Sequence, residues 1–386
     1  MPDPLRLARY RKAPELGPRL LFFSGGTALK KLSRRLIEYT HNSIHLVTPF
    51  DSGGSSAALR EAFRMIAVGD IRNRLMALAD QSVQGNPEIY RLFSYRLPAE
   101  AGQEERCREL MSMIRGEHPL VAVITDPMRK IIRNHLRFFL ERMPSDFDLS
   151  NASIGNLILV GGWINNNSHI DPVIFLFSKL VEARGIVRPI VNKDLVLVGE
   201  EEDGTLLVGQ HTFSRGEAAG SAKPISKVFL ARNREWLEPV DVEIRRKVRD
   251  LILKAELICY PMGSLYSSVI ANLLPRGVGR AVLDNDCPKV YIPNTGYDPE
   301  QRGTPTARCA ETILRYLKRD LGERTPNERL LNFVVLDSRP SSYALPVDRK
   351  ALEALGVCVI QEDLVTEESD PHLDEGRLLD ILLSLV

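Results

Sequence analysis

Near its start the chain twice runs a short apolar stretch straight into a pair of glycines and then into a one-sided helical pattern. "RLLFF", residues 19–23, stops on Ser24, Gly25 and Gly26, and "SIHLVTPF", residues 43–50, stops on Asp51, Ser52, Gly53 and Gly54. After the first turn Leu29, Leu32, Leu36 and Ile37 share a helical face, while Lys30, Lys31, Arg34 and Arg35 lie off it. "SSAALREAFRMIA" follows the second turn in the same way. Strand, glycine turn, helix and strand in succession leave few topologies, because parallel neighbours need a right-handed helical crossover. The rhythm returns in "AELICY", "CPKVYIPN", "RLLNFVVLDS" and "GVCVIQEDLV". The predicted fold is α/β: a Rossmann-like, doubly wound, mainly parallel sheet whose ligands sit beyond the strand C-termini at the switch point.

Two excursions interrupt that rhythm. From Gly69 to about Pro144 the chain carries four stretches of helical spacing, among them "PMRKIIRNHLRFFLERM", and residues 75–150 are predicted as a helical insertion. Residues 187–213 are predicted as a β-hairpin, because apolar runs flank Asp203-Gly204. "IGNLILVGGWI", 154–164, is apolar all round and predicts a buried helix. Residues 1–18 are expected to be a flexible leader, and 19–386 a single domain ending in an amphipathic helix.

With 51 basic against 50 acidic residues the net charge is +1, which gives no electrostatic footprint for nucleic acid. An anion site must then be local, built from turns and helix ends. Five scattered cysteines, without a CxxC pair, point away from a disulfide framework and from zinc. The leader has no apolar signal core, and no apolar run reaches the roughly 18 to 20 residues of a membrane span. A cytoplasmic protein is expected, with no membrane or nucleic-acid partner.

Gly25, Gly26, Thr27 and Ala28 stand where a strand meets a helix, so backbone amides could approach a phosphate there; the other reading is a tight βα turn. Lys30, placed against the helix dipole, fits a nearby anion. The stretch is neither a Walker A loop nor a complete dinucleotide fingerprint. Asp51 follows the second strand, where an acid can meet ribose hydroxyls, and Gly53, Gly54 and Ser55 offer a second set of amides. Asp51 or Ser52 could equally cap the next helix. In "GDIRN", 69–73, Asp70 stands at an expected N-cap, and Arg72 and Asn73 could donate to an acidic substrate. Gly263 with Ser264, and Asn294, close two further strand ends on the same predicted edge.

Five segments in order, Gly25-Gly26-Thr27-Ala28-Leu29, Asp51 to Ser56, Gly69 to Asn73, Gly155-Asn156-Leu157 and Gly263-Ser264-Leu265-Tyr266, resemble the 2-phospho-L-lactate transferases and their relatives, the bacterial gluconeogenesis factors. The resemblance runs from about Leu20 to the C-terminal region and is strongest to the gluconeogenesis-factor branch. It implies a Rossmann-like fold, usually dimeric, with a nucleotide or nucleotide sugar along the strand ends and Asn156 among its contacts. The transferase branch implies magnesium-dependent movement of a phospholactyl group; the other branch implies a regulator that binds UDP-sugars or dinucleotides. Three departures stand out: Ala28 replaces a glycine, Ser52 replaces the second of two aspartates, and Pro261-Met262 replaces Gly-Pro.

Two functions therefore stand side by side. A transferase would use Asp51 as Mg²⁺ ligand, Asp70 as ligand or base, and Arg72 to offset developing charge, with the glycine turns holding the diphosphate. A regulatory binder would hold a nucleotide or nucleotide sugar on the same turns and present its helical insertion to a protein partner. The loss of an acid at Ser52 favours the binder. A nicotinamide oxidoreductase is disfavoured by the incomplete fingerprint.

Overall fold

The computed structural model describes residues 2–82, 85–213 and 223–386, so residues 83–84 of the predicted insertion lie outside it. Helix α1 (Pro4–Lys12) precedes β1 (Leu20–Ser24), α2 (Lys30–Leu36), β2 (Ile44–Val47), α3 (Gly54–Phe63) and α4 (Gly69–Ala77). Within the stretch read as a leader, the Asp3 carboxylate caps α1 by accepting from the Leu5 and Arg6 amides. The insertion then supplies α5 (Pro87–Ser94), α6 (Gln103–Arg115), α7 (Pro119–Ala122) and α8 (Met128–Arg142), followed by α9 (Ile154–Asn165) and α10 (Ile170–Leu180). Phe93, Leu136, Phe139, Leu157 and Phe177 share one core, so the insertion closes on α9 and α10 instead of standing apart.

Next come β3 (Ile186–Pro189), β4 (Val196–Glu201), β5 (Leu206–Val208) and β6 (Ile225–Ala231). The predicted hairpin needs two corrections here. Its first residues belong to β3, which pairs in parallel with β2 in the main sheet, because Val187 and Pro189 are apolar enough to be buried there. The hairpin proper is β4 with β5, and β6 completes an antiparallel sheet ordered β5-β4-β6. In the acidic run Glu200-Glu201-Glu202-Asp203 at its tip, Glu201 is buried and paired with the Arg302 guanidinium.

The chain continues through α11 (Arg246–Leu253), β7 (Leu257–Tyr260), a π-helical turn over Leu265–Ile270 running into α12 (Ala271–Leu273), α13 (Val278–Leu283) and β8 (Lys289–Tyr291). It ends with α14 (Thr306–Lys318), β9 (Phe333–Asp337), α15 (Arg349–Ala354), β10 (Cys358–Glu362) and α16 (Glu375–Ser384). Asp3 N–H donates to Ser384 Oγ at 2.7 Å, which ties the start of α1 to α16.

The main sheet has seven strands in the order β10-β9-β8-β7-β1-β2-β3, all parallel. Each residue of β1 and β2 is buried, as expected of strands covered on both faces. Leu20 and Phe22 face the core of α2 and α16, whereas Leu21 and Phe23 face the core that includes α13 and α14. Strand order runs outward through β2 on one side of β1 and through β7 on the other. The switch point therefore lies between the C-termini of β1 and β7, the place where an open α/β sheet takes its ligand.

Candidate functional site

Side chains and turns from β1, β2, β7 and β8 converge at that switch point. The first turn is held from outside: Gly26 N–H donates to Asp70 Oδ2 at 2.8 Å. α2 begins only at Lys30, so the helix N-terminus expected at Gly26 comes later, and Lys30 lies exposed. Gly25 is where crowding demands a glycine, because a Cβ there would sit 2.9 Å from Ser268 Oγ and 3.1 Å from Thr48 Oγ1. Ala28 meets the third turn; a Cβ on Gly263 would lie 3.4 Å from the Ala28 methyl.

Asp70 does not cap α4. Val68 stands at the N-cap position without a side-chain bond, and the Asp70 carboxylate turns to Gly26 instead. Burial first, then the Asp51 carboxylate, raises Asp70 from 3.8 to about 6, against the opposing pull of the Gly26 amide, Arg74 and Arg72. Asp51 is close by: a Cβ on Gly69 would lie 3.7 Å from Asp51 Oδ2. Asp51 Oδ1 accepts from Gly53 N–H at 3.0 Å, so this acid shapes its own loop without entering α3.

Arg72 and Arg74 are both buried, and burial lowers each guanidinium to about 10, still charged at neutral pH. Arg72 Nη2 donates to Asn73 Oδ1 at 2.6 Å and Nη1 to Ser153 Oγ, while its Nε has no partner among the described residues. Arg74 donates to Ser33 Oγ at 2.6 Å.

The second turn has open donors at a helix start. Gly53 is the N-cap of α3 and no side chain caps the helix, so the amides of Gly54, Ser55 and Ser56 lack partners among the described residues. Gly54 has φ +46 and is followed by helical backbone, the alternation that turns successive N–H groups to one side and makes an anion nest. Asn156, 1 % exposed, reaches this end of α3: Nδ2 lies 3.5 Å from Ser55 Oγ, and its Oδ1 is unpartnered.

At the third turn most of the donors are already taken. Gly263 N–H donates to Asn294 Oδ1 at 2.7 Å, and Asn294 Nδ2 returns a bond to Gly263 O. Asp298 accepts from Leu265 N–H, and Glu300 from the Tyr266 and Ser267 amides at 2.8 Å each. Two buried carboxylates thus occupy the start of the Leu265–Ile270 turn where a phosphate was expected. Gly263, Ser264 and Asn294 are brought to the site, as a braced wall.

A family model described as 2-phospho-L-lactate transferase CofD matches residues 20–365. The chain belongs to the CofD family. Among its relatives, a Bacillus subtilis gluconeogenesis factor is 28% identical over 381 residues, 96% of this chain and 98% of that one. A gluconeogenesis factor of Halalkalibacterium halodurans is 28% identical over 358 residues, 91% of each chain. The crystal structure of a Bacillus halodurans protein described as a UPF0052 family member superposes with a TM-score of 0.70 at 25% identity, covering 95% of this chain and 99% of that one.

Several polar groups of this CofD family member were invisible in the sequence. His211 lies just past β5 and its Nδ1 is 2.8 Å from Ser52 Oγ, which brings the small antiparallel sheet to the second turn. Arg60 fastens the same loop, donating to the carbonyls of Phe50, Asp51 and Leu195. Ser24 Oγ and Thr48 Oγ1, at the ends of β1 and β2, are buried without partners among the described residues. Isolated serines, threonines and one histidine carry no spacing signal; only the topology gathers them.

Proposed function

We propose that the chain binds a nucleotide or nucleotide sugar across the switch point, with the diphosphate on the N-terminus of α3. The observation that carries this reading is the uncapped nest of Gly54, Ser55 and Ser56 beside buried Asn156. Backbone amides at a helix start suit a phosphate, and Arg72 adds a buried cation beneath the same end of the crevice. Gly25 and Gly26 flank the ligand, and the Asn294-braced third turn supplies a rigid wall. In a regulatory protein of this kind, α5–α8 would present the bound state to a partner.

The second reading, a transferase moving a phospho-hydroxyacid group from a nucleoside diphosphate donor, is favoured by the proximity of Asp51 and Asp70. Their oxygens suit Mg²⁺, which binds through one or two carboxylates and fills its shell with water and substrate phosphate. Among the described residues no group of three or more His, Cys, Asp or Glu side chains is placed to hold a metal ion. When bound, the ion would neutralise charge on the diphosphate. Asp51 and Asp70 would hold it, Arg72 would offset developing charge, and the α3 amides would fix the phosphate.

Calorimetric titration with guanosine, uridine and adenosine diphosphates and UDP-sugars, with and without Mg²⁺, tests both. Binding of a UDP-sugar without Mg²⁺ is the expected result for a regulator. Binding that requires Mg²⁺ would move the assignment to the transferase. No binding by any of them would overturn the proposal.

A further inference from the structure

β3 ends the main sheet: it pairs with β2 on one side, and no strand among the described residues pairs with the other. The ladder shows which backbone groups are left over. Ile186 N–H donates to Ser43 O and Ile190 N–H to Val47 O, so the even-numbered residues bond inward. Alternation along the strand then turns Val187 N–H and the carbonyls of Gly185, Val187 and Pro189 outward. None of these groups has a partner among the described residues.

Natural sheets usually blunt such an edge. Here the blunting is confined to the far end, where Pro189 lacks an N–H and Arg188 is tied to Asp171 at 2.9 Å. The near end is walled instead. α10 shares a core with Val187 on one face of the sheet, and α11 belongs to the core under the other face. Both helices line a cavity of about 480 Å³ that runs along residues 185–188. A trough with a strand edge for its floor and a helix for each wall is the space an eighth strand would take.

The walls say what that strand would carry. Phe175 of α10, 63 % exposed, and Ile186, 41 % exposed, leave apolar surface in water at the trough. Lys247 and Lys254, at helical spacing along α11 and its C-cap, and Lys179 of α10 are exposed there and have no carboxylate partner among the described residues. The two acids of the lining are already engaged, Asp171 with Arg188 and Asp250 with Arg246. The trough is therefore cationic. A second copy docked edge to edge about a two-fold axis would set these lysines against their own counterparts, whereas an acidic segment would neutralise them.

We propose that the β3 edge is a docking slot for an acidic, extended segment of a partner protein, which adds to the sheet as a further strand. Its backbone bonds to Val187, its apolar side chains lie on Phe175 and Ile186, and its carboxylates meet Lys179, Lys247 and Lys254. Docking there needs no bound nucleotide, since β3 stands two strands away from β1.

The probe is an eight-residue peptide of alternating glutamate and valine, with a peptide of alternating lysine and valine as its charge-reversed control. At about 1 mM peptide, the weak end of the affinity scale, amide hydrogen exchange at Val187 of the full chain should slow with the glutamate peptide and stay unchanged with the lysine one. In fluorescence anisotropy of the labelled glutamate peptide, Lys247→Glu combined with Lys254→Glu should weaken binding by at least about tenfold. Lys179→Glu, on the opposite wall, reads the same contact should the double variant fail to fold. Unslowed exchange at Val187, equal protection by both peptides, or undiminished affinity in these variants overturns the proposal. Protection of Val187 that grows with protein concentration in the absence of peptide would give the edge to a second copy and overturn it as well.

Discussion

His211 Nδ1 lies 2.8 Å from Ser52 Oγ, and the His211 backbone N–H also points at that oxygen, at 3.3 Å. The contact joins residues far apart in the chain and pins the three-stranded sheet to the loop that carries Asp51. Ser52→Ala removes both bonds and leaves the imidazole without this partner. The expected loss is about 1 kcal/mol of stability, the ordinary worth of such a bond, read from the urea midpoint. A midpoint equal to the wild type would show that the sheet is held without it.

Asn156→Asp puts a carboxylate at the start of α3, where it can accept from the open amides. A diphosphate would then meet both a negative charge and occupied donors. Affinity for the best ligand should fall by at least about tenfold, or roughly 1.4 kcal/mol, with the far-ultraviolet circular dichroism unchanged. Undiminished affinity would remove the α3 nest from the site.

Asp51→Asn separates the two functional readings. A transferase should lose Mg²⁺-dependent turnover and keep much of its nucleotide affinity; a binder should show only the change in affinity. Turnover that survives the substitution takes Asp51 out of the mechanism.

Gly25 and Gly26 should respond differently to alanine. A Cβ on Gly25 collides with Ser268 Oγ at 2.9 Å, whereas one on Gly26 meets nothing within 4 Å and suffers only from φ +48. Gly26→Ala should cost about 1 kcal/mol of backbone strain, and Gly25→Ala should cost more, since the end of β1 and the Leu265–Ile270 turn must part. Thermal melts of the two variants give the order; the reverse order would contradict the packing described for the switch point.

Burial, and next the Asp298 carboxylate, push Glu300 from its ordinary 4.5 up to about 7, although the Ser267 and Tyr266 groups it binds pull the other way. An acid whose folded pKa is raised holds its proton more tightly when folded. Its contribution is fully present below pH 4.5 and is lost as pH rises through about 7. The loss is on the order of 3 kcal/mol at most. Urea midpoints taken between these limits should decline in the wild type and decline less in Glu300→Gln; parallel profiles would assign the pH dependence to other groups.

The sheet was legible because β1 and β7 are apolar runs that stop on glycine or proline, because β2 is one broken only by His45, and because Leu29, Leu32 and Leu36 share one face of the helix after β1. β3 was misplaced into a hairpin because "IVRPIV" abuts the real hairpin and only its pairing with β2 reveals where it belongs. At the site, Asp51, Gly54 and Asn156 could be read from their turns or from family resemblance. That the Gly263 turn is bonded by Asn294, Asp298 and Glu300 could not, since those acceptors lie some thirty residues onward. Local pattern marks a turn well; it does not say which of its amides are still available.

α3 begins without a side-chain cap, on a left-handed glycine, beside an asparagine whose carbonyl oxygen has no partner among the described residues. Most helices carry the residue that finishes them. On the proposed function the finishing group would come from solution and the ligand would become a part of the secondary structure: amide exchange at Ser55 and Ser56 would slow on binding, and occupancy could be followed at the backbone without any reporter on the ligand.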